Sequence, residues 1–187
     1  SQNDTTETAE DNDLFGFTLT TGSINGVIIQ DPDELIVGVP FEDIGAIADA
    51  GNVHVFYGSS SGITTVDSQI ISQDSAGIFG TPEQNDYFGL ALTVGRLNRY
   101  GVFGDVFGDL VIGTPNESYL ATGDGVVTII YGNQFGLDTN NSTFLFNGSA
   151  SNNTNYGLSL TTARFFGQDS TFSSLIVGIP GQASSGN

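Results

Sequence analysis

The chain contains the motif Leu110-Val111-Ile112-Gly113-Thr114-Pro115 in three near copies. The other two are Leu35-Ile36-Val37-Gly38-Val39-Pro40 and Leu175-Ile176-Val177-Gly178-Ile179-Pro180. Their apolar residues are consecutive rather than alternating, which predicts a β-strand that is covered on both faces. A glycine inside a strand weakens it unless another backbone comes close. The recurrence of that glycine in all three copies therefore predicts close packing between neighbouring units.

A second motif, an aromatic residue followed by glycine and a short apolar segment, precedes each copy of the first. It begins at Phe15, Phe88 and Tyr156. These starts are 73 and 68 residues apart, and the closing prolines are 75 and 65 residues apart. Two linked motifs that recur at a period of about 70 residues indicate a tandem structural repeat.

Each full repeat predicts four short strands joined by turns. In the first repeat they lie near 17–19, 35–39, 51–58 and 68–72, with counterparts of the last two at 125–132 and 143–147. No helical period occurs, so the unit is predicted to be a four-stranded antiparallel sheet. The third copy ends before its third strand. The predicted fold class is therefore all-β, with about two and a half units.

The predicted organisation places a flexible acidic segment before the repeats. Residues 1–13 carry five acidic residues and a single apolar residue, a composition typical of solvated tails. The repeat units follow at 14–86, at 87–155 and, as a partial copy, at 156–187.

The charge of the chain excludes some partners. Lysine is absent, Arg96, Arg99 and Arg164 are the basic residues, and 21 acids give a formal net charge of −18. Phosphate backbones would be repelled, so no nucleic-acid partner is predicted. No apolar run approaches the length of a spanning helix or a signal sequence, so no membrane span is predicted.

Cysteine is absent, which removes disulfides, thiolate metal sites and cysteine nucleophiles together. Sequons of the form Asn-x-Ser/Thr suggest a glycosylated exterior and a secreted or cell-surface location. The candidate glycosylation sites are Asn116, Asn141, Asn147 and Asn152, with further sequons at Asn3 and Asn140.

The linked motifs resemble the FG-GAP repeat, the blade of the β-propeller at the head of integrin α subunits and of related surface proteins. That pattern runs Phe-Gly, a strand, a calcium loop of the type Asp-x-Asn-x-Asp-Gly-x-x-Asp, a Leu-x-Val-Gly-x-Pro strand and Gly-x-Val-x-Val-Phe/Tyr-x-Gly. The match covers almost all of residues 14–180, in order.

This resemblance implies β-propeller blades stacked around a central channel. Since a closed ring takes about four to eight blades, we expect a partial propeller that further blades or other subunits complete. We also expect an unpaired blade to leave apolar strands such as 110–114 against water.

The family binds calcium in the loop between the first two strands, and this chain departs from that pattern in all three copies. In the second copy Asp105 and Asp109 keep the fifth and ninth positions, but Gly101 and Phe103 replace two other ligands. Calcium takes about six to eight oxygen ligands. A residual site is predicted in the first loop, whose candidate ligands are Asn25, Asp31 and Asp33.

Arginine occupies one repeated position in these loops, as Arg96 and Arg164, where the first copy has Ser23. One hypothesis is that each guanidinium replaces the cation by pairing with acids of its own loop, Asp105 or Asp109 and Asp169. The alternative is that both arginines simply face solvent.

The function expected from these observations is a non-enzymatic extracellular or cell-surface module for protein interaction, adhesion or assembly. In the related propellers the loops between strands two and three, and those between blades, form the binding face. Here this face would comprise roughly residues 41–50, 73–86, 116–124 and 148–155. A carbohydrate-binding propeller with exposed aromatic rings is the alternative, and a hydrolase would need a carboxylate pair in one pocket. His54, the single histidine, lies inside a predicted strand and is expected to be a packed residue.

Overall fold

The computed structural model describes residues 11–26, 32–97, 107–148, 150–165 and 172–181. Within these ranges the regular elements are all β-strands. The strands of the first repeat are β1 (Thr18–Gly22), β2 (Glu34–Val39), β3 (Asn52–Phe56), β4 (Gly58–Ser59), β5 (Gly62–Ile63) and β6 (Gln69–Ile71). Those of the second are β7 (Ala91–Gly95), β8 (Asp109–Thr114), β9 (Val126–Asn133) and β10 (Gly136–Leu145), and those of the third are β11 (Leu160–Ala163) and β12 (Ser174–Val177).

Two four-stranded antiparallel sheets make up most of the structure. The strand order is β1-β2-β3-β6 in the first sheet and β7-β8-β9-β10 in the second. Strands β11 and β12 pair as a two-stranded sheet, and β4 and β5 form a short hairpin. The predicted all-β class and the four-stranded antiparallel unit are confirmed. None of the described residues belongs to a helix long and apolar enough to cross a bilayer.

The sheets pack face to face, and the second strands β2 and β8 of the two four-stranded sheets are buried as predicted. The prediction is wrong for β12, which is only partly buried. Ile36 of β2 shares a buried core with Leu110 and Ile112 of β8. On the other side of the second sheet, Val111 packs in a cluster that includes Leu175 of β12. The first strands also meet, β7 lying between β1 and β11. Burial of these apolar surfaces is the main force that holds the sheets together.

The repeated glycines lie where neighbouring backbones touch. A Cβ atom added at Gly38 would overlap the carbonyl of Gly89, and one added at Gly113 would overlap the carbonyl of Gly157. Gly178 lies against Ser159 of its own hairpin. The predicted close approach between units is confirmed at Gly38 and Gly113.

The expectation that residues 110–114 would face water is wrong. Leu110, Val111 and Ile112 are 0% exposed because their sheet has a neighbour on each side. An open apolar position lies instead in the third repeat, where Ile176 of β12 is 46% exposed.

The fourth strands differ from the prediction in length. Strand β10 spans ten residues, Gly136–Leu145, and its pairing with β9 shifts register between Leu137 and Ser142. This irregularity in the pairing with β9 lets β10 continue to Leu145. The hairpin β4–β5 lies at and just after the end of the third predicted strand, 51–58, and was not predicted.

Candidate functional site

A buried carboxylate begins the second strand in each of the first two sheets. Glu34 pairs with Gly22, and Asp109 pairs with Gly95, so the two acids occupy equivalent positions. Ser174, paired with Ala163, takes this position in the third repeat. We call this edge of the sheets the hairpin end, since here β1 leads to β2, β7 to β8 and β11 to β12.

Both acids accept hydrogen bonds from backbone amides. The Ile24 N–H donates to Glu34 Oε2 at 2.6 Å, and the Leu97 N–H donates to Asp109 Oδ2 at 2.7 Å. Gly132 N–H donates to Asp109 Oδ1 at 3.2 Å. Burial raises the pKa of Glu34 above its usual value, and the hydrogen bonds that the carboxylate accepts from loop amides oppose that shift. Each loop is thus held to its second strand by a carboxylate that accepts backbone hydrogen bonds.

The calcium ligands predicted from the sequence are only partly described. Asp31 and Asp105 lie outside the described residues, Asn25 is half-buried and Asp33 is exposed. The fifth predicted ligand, Asp109, is the buried acid that accepts the Leu97 and Gly132 amides. No group of three or more His, Cys, Asp or Glu side chains suited to a metal ion occurs among the described residues. The calcium site stays a prediction.

The two loop arginines line one cavity at the hairpin end. Arg96 follows β7 and Arg164 follows β11, and both border a cavity of about 320 Å³. Both side chains are exposed. Asp169 and Asp105 lie outside the described residues, so the proposed pairing of each arginine with its own loop stays a prediction.

The loops of the opposite edge, the linker end, are held together by backbone hydrogen bonds. The Asn85 N–H donates to the carbonyl of Ala48 at 3.1 Å, and the Asn153 N–H donates to that of Thr122 at 2.8 Å. Each bond joins the linker that enters a sheet to the loop between the second and third strands of the preceding sheet. The described residues of the four segments predicted as a binding face, 41–50, 73–86, 116–124 and 148–155, therefore lie at one end.

Each linker closes with a motif that the sequence analysis missed. Asparagine stands four residues before the glycine of each aromatic-Gly motif. Counted from that asparagine, the first, third and fifth residues have φ between 53° and 90°. Asparagine tolerates this left-handed region better than most residues, so the recurrence was a usable signal. The residues are Asn12, Leu14 and Gly16, then Asn85, Tyr87 and Gly89, then Asn153, Asn155 and Gly157.

An aromatic cluster lies at the linker end of the second sheet. Phe79 of the linker stacks on Phe144 of β10 with ring centroids 3.6 Å apart, and Tyr119 meets Phe79 edge-on at 5.2 Å. Phe146 lies 4.7 Å from Tyr119. Tyr119 and Phe146 are each 38% exposed. Three separate segments thus present aromatic rings on one surface, and the sequence analysis missed this grouping.

Acidic side chains lie close to the residues that carry this cluster. Burial raises the pKa of Asp86 to about 7, and the charges of Glu117 and Glu83 add to the effect. Burial also raises the pKa of Glu117, which accepts a hydrogen bond from the amide of Gln73. Asp124 accepts the Tyr119 N–H at 2.9 Å and fixes the loop that carries that ring.

No protein-family model matches the chain, and no curated protein matches it. The resemblance to FG-GAP repeats therefore rests on the linked motifs of the chain itself.

The predicted glycosylation sites differ in accessibility. Asn141 and Asn152 are exposed. Asn116 is half-buried, and its side-chain oxygen accepts the amide of Asn155 at 3.0 Å. The side-chain nitrogen of Asn147, the atom that would carry a glycan, is buried.

The prediction that His54 is a packed residue is confirmed. It is 0% exposed and meets Phe15 edge-on, with ring centroids 5.2 Å apart. Burial lowers its pKa to about 4. His54 is therefore neutral in the folded chain at ordinary pH.

Proposed function

We propose that the chain is an FG-GAP-like β-propeller segment that works as a non-enzymatic binding module, extracellular or on a cell surface. Its blades would be the repeats at 14–86, 87–155 and 156–187. The face-to-face packing of three repeated sheets, joined through their first strands, supports the propeller. The open apolar position at Ile176 suits a neighbouring blade, from this chain or another subunit.

The observation that carries the binding role is the aromatic cluster at the linker end. Its rings come from a linker, from strand β10 and from a loop that Asp124 fixes by a hydrogen bond. Aromatic residues such as tyrosine are enriched among binding hot spots. Exposed Glu83 and the formal net charge of −18 of the chain give this surface a negative potential. A protein segment that contains arginine and aromatic residues would satisfy both features, because a guanidinium binds aromatic faces and carboxylates alike.

A displayed library of random peptides, selected on the immobilised chain, tests this function. We expect enrichment of arginine-containing peptides, with binding at least about tenfold weaker in Tyr119→Ser and Phe146→Ser. Phe135→Ser is the matched control, since Phe135 is 85% exposed on the β9–β10 turn at the hairpin end. Peptides that bind all three variants equally would place binding elsewhere and contradict the proposal.

The same rings favour a second candidate, a carbohydrate-binding propeller, because exposed aromatic faces also stack on sugar rings. A glycan array separates the two. Binding of a neutral saccharide that is lost in Tyr119→Ser, retained in Phe135→Ser and insensitive to salt would support the lectin. Loss of peptide binding in high salt would support the cationic protein partner.

A further inference from the structure

The cavity at the hairpin end is assembled from equivalent positions of all three repeats. Ser23, Arg96 and Arg164 each follow the first strand of their sheet, and all three line it. The Gly108 N–H donates to the carbonyl of Ser23, and the Ser173 N–H donates to the carbonyl of Arg96, both at 2.7 Å. The same backbone bond thus fixes successive sheets around this space.

The cavity carries positive charge in an acidic chain. Two of the three basic residues border it, although the chain has a formal net charge of −18. Its described lining contains no acidic side chain and consists of Gly22, Ser23, Val94, Gly95, Arg96, Gly108, Arg164 and Ser173. The nearby strand acid Asp109 is 0% exposed and accepts backbone amides.

We propose that this cavity binds a doubly charged tetrahedral oxyanion, a phosphate or sulfate group. Guanidinium groups donate paired hydrogen bonds to such oxygens, and the Ser23 and Ser173 hydroxyls supply further donors. A volume of about 320 Å³ is at the small end for a ligand pocket, which suits a compact anion. The group is either a free ion or the charged end of a small phosphorylated molecule. This site is separate from the linker end and does not depend on the function proposed for it.

Isothermal titration calorimetry with inorganic phosphate and with O-phosphoserine, at ionic strength fixed by chloride, tests the proposal. We expect saturable binding to the wild-type chain and affinity at least about tenfold lower in Arg96→Gln and in Arg164→Gln. Gln84→Glu is the charge-matched control, because it also lowers the net charge of the chain by one, at an exposed position of the linker end. It should bind like the wild type.

The two probes separate the sources of the anion. Binding of inorganic phosphate alone indicates a free ion, and tighter binding of O-phosphoserine indicates a phosphorylated molecule. No saturable binding of either probe overturns the proposal, as does equal loss of affinity in Gln84→Glu, which would indicate a general charge effect. Circular dichroism confirms that each variant is folded, so that a loss of binding reports on the cavity.

Discussion

Gly113 of β8 lies against the carbonyl group of Gly157, which belongs to the next repeat along the chain. Gly38 has the same relationship to Gly89. The Gly157 N–H in turn donates to the carbonyl of Gly178 at 3.1 Å. The Gly38–Gly89 and Gly113–Gly157 contacts are therefore points where one sheet rests on the backbone of the next.

Gly113→Ala should lower the free energy of unfolding by about 3 kcal/mol, because the new methyl group must push the sheets apart. Gly148→Ala is the control. Gly148 has φ of 72° and no atom near an added Cβ, so only backbone strain of about 1 kcal/mol is expected there. Urea denaturation measures both values. Equal losses in the two variants would show that close packing at Gly113 is unimportant.

Asp109→Asn should destabilise the fold by about 2 kcal/mol. The carboxylate accepts the Leu97 and Gly132 amides on different oxygens, and an asparagine NH₂ group would face one of these donors without bonding to it. Asp33→Asn, at an exposed position of the preceding repeat, should leave the urea midpoint unchanged. A stable Asp109→Asn variant would mean that the loop does not need this anchor.

The repeated motifs were sufficient to predict the sheets. The consecutive apolar residues around Gly113 indicated a strand covered on both faces, and the structure covers it on both. The motif glycines indicated close backbone contact, and the contact is present at Gly38 and Gly113. These features depend on local sequence and on the repeat, both of which are visible in one chain.

The surfaces could not be predicted in the same way. Phe79, Tyr119 and Phe144 are far apart in sequence, and only the packing of linker, loop and strand brings them together. Arg96 and Arg164 occupy equivalent sequence positions, but their shared cavity depends on how neighbouring sheets pack, which no motif encodes. The asparagine motif of the linkers was visible in the sequence and was missed because its side chains carry no obvious chemistry.

His54→Leu should stabilise the chain increasingly as the pH falls. The pKa of His54 is lowered in the folded state to about 4, so the unfolded chain binds a proton first, and stability is lost as pH falls below about 6.5. The free energy of unfolding of His54→Leu, relative to that of the wild type, should rise by about 2 kcal/mol between neutral pH and about pH 5. Urea titrations across this range measure it, and a constant difference would contradict burial of a neutral imidazole.

Glycosylation should follow side-chain exposure. Asn141 and Asn152 are exposed, whereas the amide nitrogen of Asn147 is buried and Asn116 is engaged by Asn155. After secretion from a eukaryotic cell, peptide mapping with enzymatic deglycosylation should find glycans at the first two positions. Asn141→Gln and Asn152→Gln should each remove one glycan. High occupancy at Asn147 would require a different local structure.

As the pH rises, Asp86→Asn should lose less stability than the wild type. The pKa of Asp86 is raised in the folded chain from 3.8 to about 7 by burial and by the charges of Glu117 and Glu83. The folded state therefore holds a proton that the unfolded state has released, and stability falls as pH rises between these values. Asparagine keeps an oxygen that can accept the Glu83 N–H, which donates to Asp86 at 2.6 Å.

Urea midpoints at about pH 5 and at about pH 7.5 measure the effect. From the lower to the higher pH, the free energy of unfolding of Asp86→Asn should rise by about 2 kcal/mol relative to that of the wild type. Asp74→Asn, at an exposed position of the same linker, removes the same charge and should gain nothing. Parallel pH profiles for the wild type and Asp86→Asn would mean that this carboxyl ionises freely in the folded chain, and that the acids at the linker end are open to water.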